Sequence, residues 1–271
     1  VSLLSINQLL AVIGTDSIAV VSRSRGLRNR VIDQQYATFP HESKDPAWAR
    51  AICQLDALLT TMQVEAKSKL KITLASDFVR YLALPSQQVA MNSAEKSAFA
   101  IASYQEVYGA VIDDWEIKLH DAPNHSVTIA AAIDKKLLDE IRALAHKHKL
   151  QLLTVQPYLM TVFNSLSSQI ANVNGYLAVV EFNRLLLVNL YQGHCQNIRV
   201  YPLTNGWQLE FKNLMMRESL MADTGHHQIL VYAPTQKNIA INAIEGWQVS
   251  RISTVKNTLK NYHFAMLEAS V

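Results

Sequence analysis

Hydrophobic positions along this chain follow two periods, and the changes between them mark out strands and helices. Leu10-Ala11-Val12-Ile13 and Ile18-Ala19-Val20-Val21 flank the small-residue turn Gly14-Thr15-Asp16-Ser17, a pattern that predicts a hairpin. Residues 30–38, rich in β-branched and aromatic side chains, extend it to a third strand. Trp48, Ile52, Leu55, Leu59 and Met62 then recur at helical spacing behind Asp45-Pro46, which predicts a helix with Asp45 as N-cap and Pro46 in its first turn. Residues 71–76 form the next strand, and the order so far is βββαβ.

The middle of the chain departs from that order. A short strand over 78–84 closes at Pro85, and Asn92 with Glu95 predicts a capping box for a helix reaching Tyr108. Strands over 115–119 and 126–132 flank the turn-rich Asp121-Ala122-Pro123-Asn124. Asp134 then caps a helix whose apolar stripe is Leu137, Leu138, Ile141, Leu144 and Ala145. A strand over 150–155 and an amphipathic helix over 158–170 complete this part. Beyond it the opening order returns: a hairpin of 176–182 and 184–191, a strand at 197–201, a helix over 208–221 and a strand over 228–233. A supersecondary unit repeated within one chain predicts two lobes, here 1–165, with a small subdomain inserted at about 78–133, and 166–271.

Composition narrows the function classes. The 271 residues are 49% hydrophobic, enough for a sizeable core, and 17% charged with a net charge of +3, too little positive charge to indicate a nucleic-acid partner. No apolar run approaches the ~18 residues of a membrane-crossing helix, and Val1-Ser2-Leu3-Leu4 does not begin a signal-type segment. The expectation is therefore no direct membrane span. Cys53 and Cys195 are far apart and lack metal-site spacing, so they read as two buried thiols in a reducing compartment. His146 and His148 project about 200° apart on a helix and read as a solvated helix end with no acidic partner, and His226 and His227 suggest no metal set either. Asp113-Asp114 reads as a loop, and Arg23, Arg25, Arg28 and Arg30 as a solvated hairpin tip. Ser76, Ser86 and Ser93 lack a G-x-S-x-G context, so no catalytic residue and no metal site is proposed.

Two βββαβ units are how the halves of the actin-like (ribonuclease H-like) fold begin, and the first turn resembles the phosphate-binding hairpin of sugar-kinase, Hsp70 and actin-like ATPases. That hairpin carries an Asp for the metal just ahead of Gly and often a Lys on the returning strand; here these places fall on Val12 and Ala19. The run from Trp115 to Leu166, with Leu152-Leu153-Thr154-Val155-Gln156-Pro157-Tyr158-Leu159-Met160, resembles the pilus-assembly PilM family and the cytoplasmic domain of the type II secretion protein GspL. Ile13-Gly14-Thr15-Asp16-Ser17 matches their I-G-x-x-S turn, and residues 262–269 are similar to their final small-residue helix.

The resemblance implies an α/β, two-lobed actin-like fold lacking or reducing one inserted subdomain, since 208–228 has room only for a helix and a loop. It implies a cytoplasmic scaffold, peripheral to the bacterial inner membrane, that binds the N-terminal cytoplasmic segment of a single-pass partner or recruits an assembly ATPase. Departures from the family pattern imply a pseudo-ATPase. Glu181-Phe182-Asn183 stands where ATP-holding members have Asp-x-Gly, Ala233-Pro234-Thr235-Gln236-Lys237 lacks the Gly-Gly pair that clamps the base, and the chain has only 8 glycines. Gly14, Thr15, Ser17 and Glu181 are thus read as a vestigial phosphate site, with neither ATP nor Mg expected as a cofactor. Partner binding is assigned to Phe78, Arg80, Tyr81, Leu82, Phe99 and Tyr104 through strand addition or pocket insertion. The alternatives are a divergent ATPase or kinase using Asp16 or Glu181 as displaced metal ligands, and a self-associating, filament-forming structural protein.

Overall fold

Two sheets with the same connectivity form the body of the protein. The computed structural model describes residues 7–24, 30–40, 46–85, 91–121, 127–203, 206–221, 228–236, 243–254 and 261–270. In chain order the elements are β1 (Gln8–Ile13), β2 (Ser17–Ser24), β3 (Arg30–Thr38), α1 (Ala47–Thr61), β4 (Lys69–Leu74), β5 (Arg80–Pro85), α2 (Ser93–Tyr108), β6 (Trp115–Asp121), β7 (Val127–Asp134), α3 (Lys135–Lys147), β8 (Gln151–Pro157) and α4 (Tyr158–Ile170). The second half supplies β9 (Gly175–Val180), β10 (Arg184–Tyr191), β11 (His194–Pro202), α5 (Trp207–Met221), β12 (Gln228–Tyr232), β13 (Gln248–Arg251) and a closing 3-10 helix, Tyr262–Ser270.

The first sheet runs β3-β2-β1-β4-β8 and the second β11-β10-β9-β12-β13. In each, an antiparallel three-strand meander is followed by parallel strands. Strand for strand the halves correspond, with α1 in the place of α5 and β8 in the place of β13. The fold class expected from the repeated order is the one observed. β13 is an addition to that reading, because Gln248-Val249-Ser250-Arg251 is a short edge strand with one aliphatic residue in four.

Local chemistry explains where the helices begin. Asn92 Oδ1 accepts from the amides of Ala94 and Glu95 at 2.9 and 3.0 Å, and Glu95 Oε2 accepts from the Asn92 amide at 2.8 Å, a complete capping box. Asp134 Oδ1 accepts from the Lys136 amide at 2.7 Å, and all five residues of the expected α3 stripe are buried. For α1 the expected cap is corrected: Pro46, with an extended ψ of 125°, occupies the N-cap itself, and Asp45 lies outside the described residues.

One core runs through both lobes. Leu9, Ile13, Ile72 and Leu74 of the first sheet share it with Leu177, Val179, Leu186 and Leu230 of the second, and Tyr158, Leu159, Val162 and Leu166 of α4 fill it. Alternate residues on the far face of the second sheet, Tyr176, Ala178, Val180, Leu185 and Leu187, pack on Trp207, Phe211 and Met215 of α5. The small sheet, β5-β7-β6, carries α2 on one face through Ala100 and Tyr104.

The tail crosses back to the first lobe. Phe264, Ala265, Met266 and Leu267 are buried, and this 3-10 helix packs on α4, β1 and β2 and on the short 3-10 turn Pro234–Gln236. The Tyr36 ring of β3 stacks on His263 at 3.8 Å and meets Phe264 edge-on. Four surface readings are corrected. Cys53 is exposed, because it sits one position past the buried Ala51–Ile52 edge of α1. His148 does have an acidic partner, since α1 brings Asp56 Oδ1 to 2.7 Å from its Nε2, with Lys147 at 2.6 Å from Oδ2. Of the arginine run, the Arg23 Nε is buried, Arg30 is exposed, and Arg25 and Arg28 lie outside the described residues, as do His226, His227 and Ser86. Asp113 and Asp114 end a 3-10 helix, Gly109–Asp114, instead of lying in an irregular loop.

Candidate functional site: the cleft between the two hairpins

The β1–β2 and β9–β10 turns face one another across the line between the lobes, and three polar residues of the second lobe's turn, Glu181, Asn183 and Arg184, close the gap. The first turn is shaped by the Gly14 amide donating to Ser17 O at 2.8 Å and by Ser17 Oγ donating to Asp16 Oδ1 at 3.0 Å. A Cβ on Gly14 would approach Ser17 O to 3.1 Å, which explains a glycine there without a positive φ. Val12 and Ala19 are direct cross-strand partners and both are buried, so the places of the metal-binding acid and the basic residue are filled with core side chains.

The second turn reaches over to meet the first. Asn183 Nδ2 donates to Asp16 Oδ2 at 3.1 Å and contacts Thr15 Oγ1 at 3.4 Å. Arg184 Nε donates to Asp77 Oδ1 at 2.6 Å. Glu181, only 1% exposed, accepts from the Ser76 amide at Oε2 (2.9 Å) and from the Ser76 hydroxyl at Oε1 (2.5 Å). Ser76 stands just beyond β4, where the chain opens the 3-10 turn Ser76–Phe78. Burial pushes the Glu181 carboxyl up to about 7, against the Ser76 hydrogen bonds, while Asp77 raises it further and Arg184 opposes that.

Three buried tyrosines cluster behind this staple. Tyr81, Tyr158 and Tyr232 each bury a hydroxyl without a well-placed hydrogen-bond partner. Burial raises the pKa of all three, reinforced for Tyr158 by Tyr232, Glu181 and Glu268, so all stay neutral. The loop after β12 is folded inward. Pro234 and Thr235 are buried, and Thr235 Oγ1 lies 3.4 Å from the carbonyls of Val180 and Glu181; Lys237 lies outside the described residues. From the other side Tyr262 meets Phe182 edge-on at 5.1 Å, so the tail covers the turn as well.

Chemically, this arrangement spends its donors internally. An amide and a hydroxyl that converge on one point form an anion site, and at Ser76 both are directed to a carboxylate of the same chain. Among the described residues no group of three or more His, Cys, Asp or Glu side chains is arranged to hold a metal ion.

The residues assigned to partner binding fall on two faces of the small sheet. Tyr81 is buried toward the shared core, together with the half-buried Phe78. Leu82, Phe99 and Tyr104 pack within the small subdomain, where Tyr104 Oη donates to Arg80 O at 2.8 Å. Arg80 is the exposed member, its Nη1 donating to Asp77 O at 2.9 Å. Strand alternation separates Tyr81 from Leu82. Of the residues that do come together, Asp16 and Asn183 belong to the two turns singled out in the sequence, while Ser76, Asp77 and Arg184 had no sequence signal for this site.

No family model matches the chain, and no curated protein matches it in sequence. Solved structures do match its fold. The cytoplasmic domain of EpsL, an inner membrane component of the type II secretion system of Vibrio cholerae, superposes with a TM-score of 0.61 at 8% identity, covering 97% of this chain and 94% of that one. The PilM–PilN type IV pilus biogenesis complex gives 0.63 at 12% identity, with 90% and 88% covered. A Bacteroides thetaiotaomicron protein described as having an actin-like ATPase fold and unknown function gives 0.58 at 10%, with 98% and 96% covered. The chain therefore has the two-lobed actin-like fold, in the form seen in a type II secretion component and a type IV pilus biogenesis complex.

Proposed function

We propose that this protein is an actin-like scaffold of a type IV pilus or type II secretion-like assembly machine, working without ATP hydrolysis at the cytoplasmic face of the inner membrane. The observation that carries the non-hydrolytic part is the pair of hydrogen bonds between Ser76 and Glu181. A buried carboxyl held on those donors competes with a phosphate for them and, once ionised, repels it. The likeness in fold to EpsL and to the PilM–PilN complex supports the assembly role.

In this reading the partner is the cytoplasmic segment of an inner-membrane protein, taken up at the small subdomain. Arg80 is the exposed contact, and Phe78, Tyr81, Leu82, Phe99 and Tyr104 are engaged from the two faces of the small sheet on which they lie. Calorimetric titration with Mg-ATP tests the central claim on wild type, Glu181→Ala and Val12→Asp. The expected result is no heat from wild type up to about 1 mM nucleotide. Micromolar binding by wild type that Glu181→Ala abolishes would replace the scaffold with a divergent ATPase.

A further inference from the structure

The small sheet has two edges, and their surroundings differ. β5 packs beside β11, whereas the outer edge of β6 pairs with no described strand. The register with β7 sorts β6 into two rows. Trp115, Ile117 and Leu119 share the α2 side with Ala130 and Ala132, while Glu116, Lys118 and His120 lie on the other. α2 covers the first row incompletely. A pocket between helix and strand is lined by Ile101, Ile112, Trp115, Ile117 and Leu119. Ile101 is 48% exposed, and the exposed Tyr108 ring leans edge-on to Trp115 at 5.1 Å. An unpaired edge flanked by apolar side chains is the arrangement that single-chain sheets avoid.

We propose that β6 pairs antiparallel with β6 of a second copy of this chain, about a two-fold axis through Ile117, joining two three-stranded sheets into one of six. The charge pattern selects this occupant and this register. With Ile117 opposite Ile117 of the partner subunit, Glu116 faces Lys118 of the partner subunit, Lys118 faces Glu116 of the partner subunit, and Trp115 lies opposite Leu119 of the partner subunit on the apolar row. Centring the pair on Glu116 or Lys118 sets like charges face to face, and a one-residue slip places the apolar row against the charged one. A two-fold perpendicular to the sheet leaves both α2 helices on one side, so each exposed Ile101 faces the axis. Within one chain Glu116 bonds Lys118 at 3.2 Å and Arg142 at 3.3 Å, contacts that the pairing would share with Lys118 of the partner subunit.

Sedimentation equilibrium on the wild type, on Glu116→Lys and on Lys118→Glu tests the pairing. The wild type should double in mass with rising concentration. Each variant turns two attractive contacts into two repulsive ones and should dimerise at least about tenfold more weakly. An equimolar mixture of the two variants restores opposite charges at both contacts and should recover the dimer, a gain that misfolded variants cannot give. In a Cys53→Ser background, Ile117→Cys should form an intermolecular disulfide on mild oxidation, since paired Cα atoms across a ladder lie within disulfide reach. A wild type that stays monomeric to about 1 mM, or a mixture that associates no better than its components, overturns the proposal.

Discussion

Glu181 and Ser76, 105 residues apart in sequence, are joined by two hydrogen bonds that tie the second lobe's hairpin to the end of β4. The contact is buried on both sides, and it makes the line between the lobes a bonded seam. A carboxyl with a folded pKa of about 7 against an ordinary 4.5 binds its proton more tightly in the native state.

Stability should therefore fall as pH rises from about 4.5 to about 7 and level off above, by on the order of 3 kcal/mol from this group. Glu181→Gln keeps an acceptor for the Ser76 amide and removes the titration. Urea unfolding at pH 5 and pH 8 should show a smaller pH dependence for this variant and a higher midpoint than wild type at pH 8. Equal pH slopes for the two proteins would mean that Glu181 is ionised in the native state throughout.

The Arg184–Asp77 pair is the half-exposed flank of the same seam, with the Asp77 side chain only 10% exposed. Removing either partner should cost about 1–2 kcal/mol, and the double variant Asp77→Ala/Arg184→Ala should lose clearly less than the sum of the two singles. Additive losses in a double-mutant cycle would show that the ion pair contributes no coupling.

At Gly175, where β9 starts beside β12, a Cβ would lie 2.2 Å from the backbone carbonyl oxygen of Gln228, and φ is +154°. Gly175→Ala must push the two parallel strands apart, so a loss of about 3 kcal/mol or more is expected. Chemical denaturation reads the loss, and hydrogen exchange should locate it at β9 and β12. A near-neutral substitution would mean that β12 can move away freely.

Phe264 is 1% exposed and sits with Tyr36 and α4 at the meeting of the lobes. Phe264→Ala should cost about 3–5 kcal/mol through the cavity it leaves. Because that cavity borders β1 and β2, loss of protection should extend to them. Exchange confined to 262–270 would show the tail to be a detachable strap.

How much of this was readable beforehand depended on the range of the interaction. α4 has the predicted limits, and α3 the predicted cap and buried face, because each is specified within a few residues, α3 by its Asp134 cap and stripe and α4 by Pro157 and its stripe. β10 likewise runs over the predicted residues 184–191. β13 escaped notice because an edge strand with one covered flank has no run of alternating apolar residues to display. Asp56 with His148, and Asn183 with Asp16, join segments about 90 and 170 residues apart, a distance at which no periodicity in the chain bears on who meets whom. At the cleft, the missing acid and glycines were legible as substitutions, but the staple that fills their place was visible only once both turns were set face to face.

The returning tail also has a consequence for biosynthesis. Strands β1 and β2 are made long before Phe264, Met266 and Leu267, which form part of their wall. The first lobe can collapse during translation but cannot reach its final packing until residues 264–267 have emerged. Throughout that interval the nascent protein presents an unfinished apolar surface, and its maturation depends on whatever shields that surface until the 3-10 helix is made.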